Sequence, residues 1–302
     1  MGLGTVWGPL IAWYLFLAGV GAGAYLVGVG ASTLGTKYQP LVRPGILLGA
    51  PLVAIGSGLL LLDLGNPIRF YLGFLRPQSS MISVGILIIT VFILLGLLHI
   101  AALLWPSRVK LSARALAWLG GVNAVFALAT AIYTGLLLGV VKAVPFWNTP
   151  MLPLLFLVSA LSTGAGAILL ALAVWRLIRP VSQEQAEQLV ESEHLLSRVD
   201  IPLIAVELLV LFFLLFLMGG GPSMAAESAR YLVTGGFAVA FWVGLVVVGL
   251  LVPAVLEAWS LRGGQALNVG ALAGVCLLIG GIVLRYAVLS AGASVATAII
   301  GG

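Results

Sequence analysis

Ser80-Met-Ile-Ser-Val-Gly-Ile-Leu-Ile-Ile-Thr-Val-Phe-Ile-Leu-Leu-Gly-Leu-Leu-His-Ile-Ala-Ala-Leu-Leu-Trp105 runs without a single Asp, Glu, Lys or Arg. Its apolar residues follow one another instead of alternating with period two. That excludes a barrel strand and indicates a helix long enough to cross a bilayer, which takes about 20 apolar residues. The surrounding chain has the same character. Of its 302 residues 62% are hydrophobic and 8% charged, with mean hydropathy +1.23, whereas a soluble domain has about 25% charged residues. The chain therefore reads as an all-α integral membrane protein.

Eight spans are expected, at 8–34, 45–64, 80–105, 115–142, 151–178, 201–219, 230–258 and 267–290. Pro44, Pro150 and Pro202 stand near starts, where a missing N–H does little harm. Gly219-Gly-Gly-Pro222 and Gly263-Gly264 punctuate loops. Trp7, Trp105, Trp118, Trp147, Trp175 and Trp259 lie near span ends, as an aromatic belt requires. Gly21-Ala-Gly-Ala24 in span one recurs as Gly164-Ala-Gly-Ala167 in span five, where small residues let helices approach closely. The echo divides the chain into two four-helix bundles, residues 1–150 and 151–302. The second includes a polar insert at 179–200, expected to form a short surface helix with His194 solvated.

Lys37, Arg43, Arg108, Lys110, Arg114, Arg176, Arg179, Arg198 and Arg262 fall in loops one, three, five and seven. Only Arg69, Arg76, Lys142 and Arg230 fall on the other side. The positive-inside rule then puts both termini outside the cytoplasm. The net charge of +5 sets orientation and is no sign of nucleic-acid binding. No basic segment precedes the first span, so no cleavable signal peptide is expected. The lone Cys276 cannot hold a metal or a cluster and reads as a core residue. His99, the one histidine within a span, cannot supply a bis-histidine haem site, so neither haem nor metal is expected.

Charge at membrane depth is costly and mostly functional. In Asp63-Leu-Gly-Asn-Pro-Ile-Arg69-Phe-Tyr71 an acid, an amide and a base follow the second span. With the orientation above, Asp63, Asn66 and Arg69 gather at the outer face with Trp13, Tyr14, Tyr133, Thr134, Lys142, Trp147 and Asn148. Hydrogen-bonding groups, an acid and aromatic rings beside lipid suit an amphipathic ring with exchangeable protons, such as a quinone. Equally, Asp63 and Arg69 could cap helix ends and pair. In the second half, Asp200, Glu207, Glu257 and Arg285, with Ser159, Ser162 and Thr163, would serve either as a proton path or as structural ion pairs.

Trp7-Gly-Pro-Leu-Ile-Ala-Trp-Tyr-Leu-Phe-Leu-Ala-Gly-Val-Gly-Ala-Gly-Ala24 resembles the opening helix of the polysulfide-reductase membrane-subunit family, also called NrfD-like. Asp63 to Phe70 is similar to that family's signature after the second helix. Tyr133-Thr-Gly-Leu-Leu-Leu138, Pro145-Phe-Trp-Asn148 and Leu152-Pro-Leu-Leu-Phe156 are similar to its fourth-to-fifth-helix signature. The resemblance implies a haem-free, eight-helix subunit in the prokaryotic cytoplasmic membrane. Such a subunit exchanges electrons between quinone (menaquinone or ubiquinone) and a ferredoxin-like iron–sulfur subunit. That partner in turn serves a molybdenum or tungsten bis-pterin catalytic subunit. The implied enzyme role is quinol oxidation or quinone reduction, with the terminal centre on a partner. Tyr133 matches the tyrosine that contacts the quinone head, and Asp63 the acid beside it. Some members carry a histidine on the first helix; this chain has none in spans one or two. Head-group bonding would then rest on Tyr133, Asp63, Asn66 or water. A secondary transporter and a passive anchor for a redox subunit are the alternatives.

Overall fold

The computed structural model describes residues 8–63, 81–179, 182–263 and 266–300, and among these every regular element is a helix. The helices are α1 (Pro9–Thr33), α2 (Gln39–Asp63), α3 (Met81–Leu104), α4 (Ala113–Gly139), α5 (Met151–Ile178), α6 (Gln183–Gly219), α7 (Ser223–Val233), α8 (Val252–Ser260) and α9 (Ala266–Ile300). A π-helical segment, Ala240–Leu251, leads into α8, and a single 3₁₀ turn, Thr36–Tyr38, precedes α2. Eight of these helices, counting the π segment with α8, are long and apolar enough to cross a membrane.

α1 and α5 form the centre, the most buried of the eight spans. α1 packs on α2, α4 and α5, and α5 on α4, α6 and α9. The two Gly-Ala-Gly-Ala motifs account for this. A Cβ built on Gly23 would overlap the carbonyl of Ala160, and one on Gly164 would overlap the backbone of Gly23 and Ala24. Backbone touches backbone at the crossing, which only glycine permits. Gly21 turns instead toward α2, and Gly166 toward α9. The repeated motif thus forms the α1–α5 crossing; for description, α1 to α4 are called the first helix group and α5 to α9 the second.

Two expected boundaries are corrected. Pro44 and Pro202 do not open helices; both lie inside them. α6 starts at a capping box, where the Ser182 hydroxyl accepts from the Gln185 N–H and the Gln185 side chain accepts from the Ser182 N–H. Two otherwise orphaned donors are satisfied there, and the helix then passes through Pro202. At 37 residues it is about 55 Å long at 1.5 Å per residue, far beyond the ~30 Å hydrocarbon thickness. The expected surface helix at 179–200 is therefore a rigid extension of α6. Leu189, Ser192, Glu193, Leu196 and Ser197 along it are buried. His194 is half-buried rather than fully solvated, and its Nε2 is enclosed without a partner among the described residues.

The exposed rings of Trp105, Trp118, Trp175 and Trp259 fit an interfacial belt. Trp147 departs from it. It is 1% exposed, and its Nε1 donates to the Val288 carbonyl at 2.8 Å, tying the α4–α5 loop to α9.

Candidate functional site

Two described helices bring aromatic side chains to one end of the first group, and a third makes room for them. Tyr14 lies near the start of α1, Tyr133 near the end of α4, and Gly85 near the start of α3. The Tyr133 ring fills the notch that Gly85 leaves, for a Cβ there would overlap the phenol. Tyr133 is buried, and Tyr14, facing it, has no exposed surface. Among the described residues the Tyr14 hydroxyl has no hydrogen-bond partner. A buried polar group left unpaired loses free energy, so among the described residues this hydroxyl keeps its hydrogen-bonding capacity unused. Two phenols side by side suit the carbonyl or hydroxyl oxygens of a quinone head.

Trp13 does not join them. One residue further round α1, it is 44% exposed and meets Phe16 edge-on at 5.9 Å on the lipid side. Asp63 is the last described residue of α2. Gly56 of the same helix sits against the Tyr14 carbonyl, so the Asp63 backbone is about 10 Å further toward the same end, seven residues at 1.5 Å. Its side chain, and Asn66 and Arg69, lie outside the described residues. At the opposite end of the first group the Tyr25 hydroxyl bonds His99 Nδ1 at 2.7 Å. Turning the Asn123 amide lets its oxygen accept from that hydroxyl and from Gly96 N–H. His99 is thus held by a neighbouring side chain, as expected for a lone helix histidine.

The second group contains a buried polar stripe. Glu193, Asp200 and Glu207 repeat every seven residues along one face of α6, about 10.5 Å or two turns apart. Arg285 of α9 is wholly buried. It donates to Ser159 Oγ at 2.6 Å and to the Gly281 carbonyl at 3.1 Å, and lies 5.0 Å over the Phe156 ring. Glu207 lies beside Arg285 and Ser159. Asp200 lies against Ser162 and Glu257, and none of these three side chains has a partner in good hydrogen-bond geometry. The five residues expected as a proton path, Asp200, Glu207, Glu257, Ser162 and Arg285, are therefore neighbours in one buried stripe.

Glu193 belongs to it as well and was missed. An acidic run reads as a solvated face, whereas the seven-residue repeat 193, 200, 207 was the available signal. Among the described residues no three His, Cys, Asp or Glu side chains converge as a metal site requires.

Arg285 is the cation facing Glu207. Arg285→Met is expected to destabilise the protein by about 1.5–3 kcal/mol, the worth of a charge-assisted hydrogen bond such as its donation to Ser159. Adding Glu207→Gln should recover part of the loss. Thermal unfolding of the detergent-solubilised variants measures both, and a single variant that melts like the parent would show the guanidinium to be dispensable.

A family model described as polysulphide reductase, NrfD, matches residues 1–296. Protein NrfD of Escherichia coli is 31% identical over 95% of this chain and 95% of its own length. One of the polysulfide reductase polypeptides of Wolinella succinogenes is 31% identical over 95% and 94% respectively. One of the selenate reductase subunits of Mesobacillus selenatarsenatis is 24% identical over 93% of this chain and 72% of its own.

Proposed function

The chain belongs to the polysulphide reductase NrfD family, and on that premise we propose that it is the quinone-reacting membrane subunit of a respiratory oxidoreductase complex. Quinol is oxidised at the Tyr14 and Tyr133 end, and the electrons pass to a ferredoxin-like iron–sulfur partner docked there. That partner feeds a molybdopterin reductase. Relatives named as parts of polysulfide and selenate reductases support the reducing direction. The observation that carries the proposal is the buried phenol pair, one hydroxyl of which has no partner among the described residues.

In this mechanism Tyr133 and Tyr14 hydrogen-bond the oxygens of the head and fix its orientation. Asp63, at the same end, takes up a proton released on oxidation. Arg69 adjusts that acid by its charge, and Asn66 offers a further hydrogen bond. Both termini and this site lie outside the cytoplasm. The stripe of Asp200, Glu207, Glu257, Ser162 and Arg285 carries protons through the second helix group. Asp200, Glu207 and Glu257, against the one guanidinium of Arg285, would be costly as fixed charges in lipid and are suited to exchange protons.

The complex is purified from native membranes, its proteins identified by mass spectrometry and its quinone extracted. The parent is expected to retain quinone and to bring iron–sulfur and molybdopterin subunits with it. Tyr133→Phe should keep those subunits but lose about tenfold in quinone affinity, the worth of one hydrogen bond of ~1–1.5 kcal/mol. A parent that purifies alone and without quinone would defeat the proposal.

A further inference from the structure

Glu193 has no exposed surface, although it lies on the α6 extension beyond the length needed to span lipid. Its carboxyl accepts from the Ser260 hydroxyl at Oε1, 3.1 Å away, and the Gly270 N–H lies against it, while among the described residues Oε2 has no partner in good hydrogen-bond geometry. α9 leaves room for the carboxyl at Gly270, where a Cβ would lie 2.8 Å from the carboxyl carbon. A purely structural buried carboxyl uses both oxygens, because a stranded one loses its hydration without return. Arg176 of α5 and Glu257 of α8 face it. One turn further along α6 the buried Ser197 hydroxyl is also unpartnered, and beyond it lies Asp200. In the other direction, Arg176, Glu191, His194 and Asn268 line a surface groove of about 1320 Å³. Glu193 does not itself line the groove but stands behind its neighbours His194 and Arg176, between that open groove and the buried carboxyl pair of Asp200 and Glu257.

We propose that Glu193 is the relay residue through which the buried stripe exchanges protons with this groove. Its free Oε2 takes a proton that reaches it from the groove through an intervening water, forming one O–H bond as the donor's breaks. It then releases that proton toward Glu257 and Asp200 through the Ser197 hydroxyl or an intervening water, and returns to its starting state. The inference rests on the second helix group being a proton path.

The test uses the whole complex in proteoliposomes that enclose a pH-sensitive dye. Two quantities are read: electron transfer from quinol under uncoupled conditions, and the rate of proton movement driven by a potassium diffusion potential. Glu193→Gln keeps the shape of the side chain but cannot shuttle protons. It should slow proton movement by about 10²–10⁴-fold, the range that positioned proton-transfer groups contribute, with uncoupled electron transfer little changed. Glu193→Asp should restore most of the flux. Proton movement at the parental rate in Glu193→Gln would overturn the assignment while leaving the path intact. Loss of electron transfer and thermal stability together, not rescued by Asp, would make Glu193 structural and overturn it too. A parent complex no leakier to protons than empty vesicles would overturn the path itself, and Glu193 with it.

Discussion

Asp63→Asn is expected to reduce quinol-dependent turnover by about 10²–10⁴-fold, the usual contribution of a positioned general base, while the complex still assembles. Asn retains the size of Asp and its hydrogen-bonding acceptor, so folding and docking should be little altered. What it cannot do is accept a proton. Oxidation of a quinol releases protons with the electrons, and the described geometry puts the α2 end that carries Asp63 about two helical turns beyond the Tyr14 carbonyl. Among the other described carboxyls, Glu193, Asp200, Glu207 and Glu257 are buried in the second helix group, and Glu227 is exposed on α7. The measurement is steady-state quinol oxidation by the purified complex. A parallel assay supplies electrons to the iron–sulfur partner from a soluble donor and so bypasses the quinone site. Loss in the first assay with retention in the second assigns Asp63 to quinol chemistry. Parental turnover in both would remove it from the mechanism, and loss in both would make it a structural residue. A passive membrane anchor would tolerate the neutral side chain, so the same pair of assays separates that alternative.

Span number and approximate position were legible because hydrophobic length is a local property of the chain. Eight uninterrupted apolar runs can be counted without knowing what they touch. The ends were less legible where proline was read as a start signal. In water Pro44 and Pro202 would favour that reading. Within a bundle, neighbouring helices re-satisfy the freed carbonyls, and the capping box at Ser182 and Gln185 was the stronger signal for the start of α6.

Long-range contacts were hidden altogether. Trp147 resembles an interfacial ring in its local sequence, but its partner is a carbonyl 141 residues away. Tyr14 and Tyr133 could be assigned to the same end of the bundle from topology. That Tyr14 and not Trp13 faces inward depends on which side of α1 the other helices cover. α1 is apolar nearly all round, so its sequence has no polar face to reveal this. The Asp200, Glu207 and Arg285 neighbourhood was accessible because charges in lipid-spanning segments are few and must be accommodated inside. Glu193 escaped because the extension of α6 beyond the span looked polar and solvent-exposed.

Gly23→Ala is expected to be among the most damaging single substitutions in this chain, although it adds one methyl group. Helix propensity alone argues the opposite: alanine in a helix interior is favoured over glycine by about 0.8–1.0 kcal/mol. Gly121 of α4 is exposed, with nothing within 4 Å of a built Cβ, and Gly121→Ala should therefore be neutral or stabilising. At Gly23 the added carbon overlaps the Ala160 carbonyl and lies 3.1 Å from the Leu161 nitrogen. Those are backbone atoms of α5, so no side-chain rotation relieves the clash and the two central helices must separate. Overpacking in a well-filled core costs about 1–3 kcal/mol and occasionally more. Here separation would also open the neighbouring contact of Gly164 with Gly23 and Ala24, and loosen the positions of Tyr14 on α1 and Ser159 on α5. Against a total stability of order 5–15 kcal/mol, such a loss should appear as a marked fall in thermal midpoint and in the monodisperse fraction on size-exclusion chromatography. The two alanine variants are compared side by side. If Gly23→Ala melts no lower than Gly121→Ala, the Gly-Ala-Gly-Ala motifs do not form the α1–α5 crossing. If it alone falls, the repeated motif is what holds the two helix groups, and with them the phenol pair and the carboxyl stripe, in one molecule.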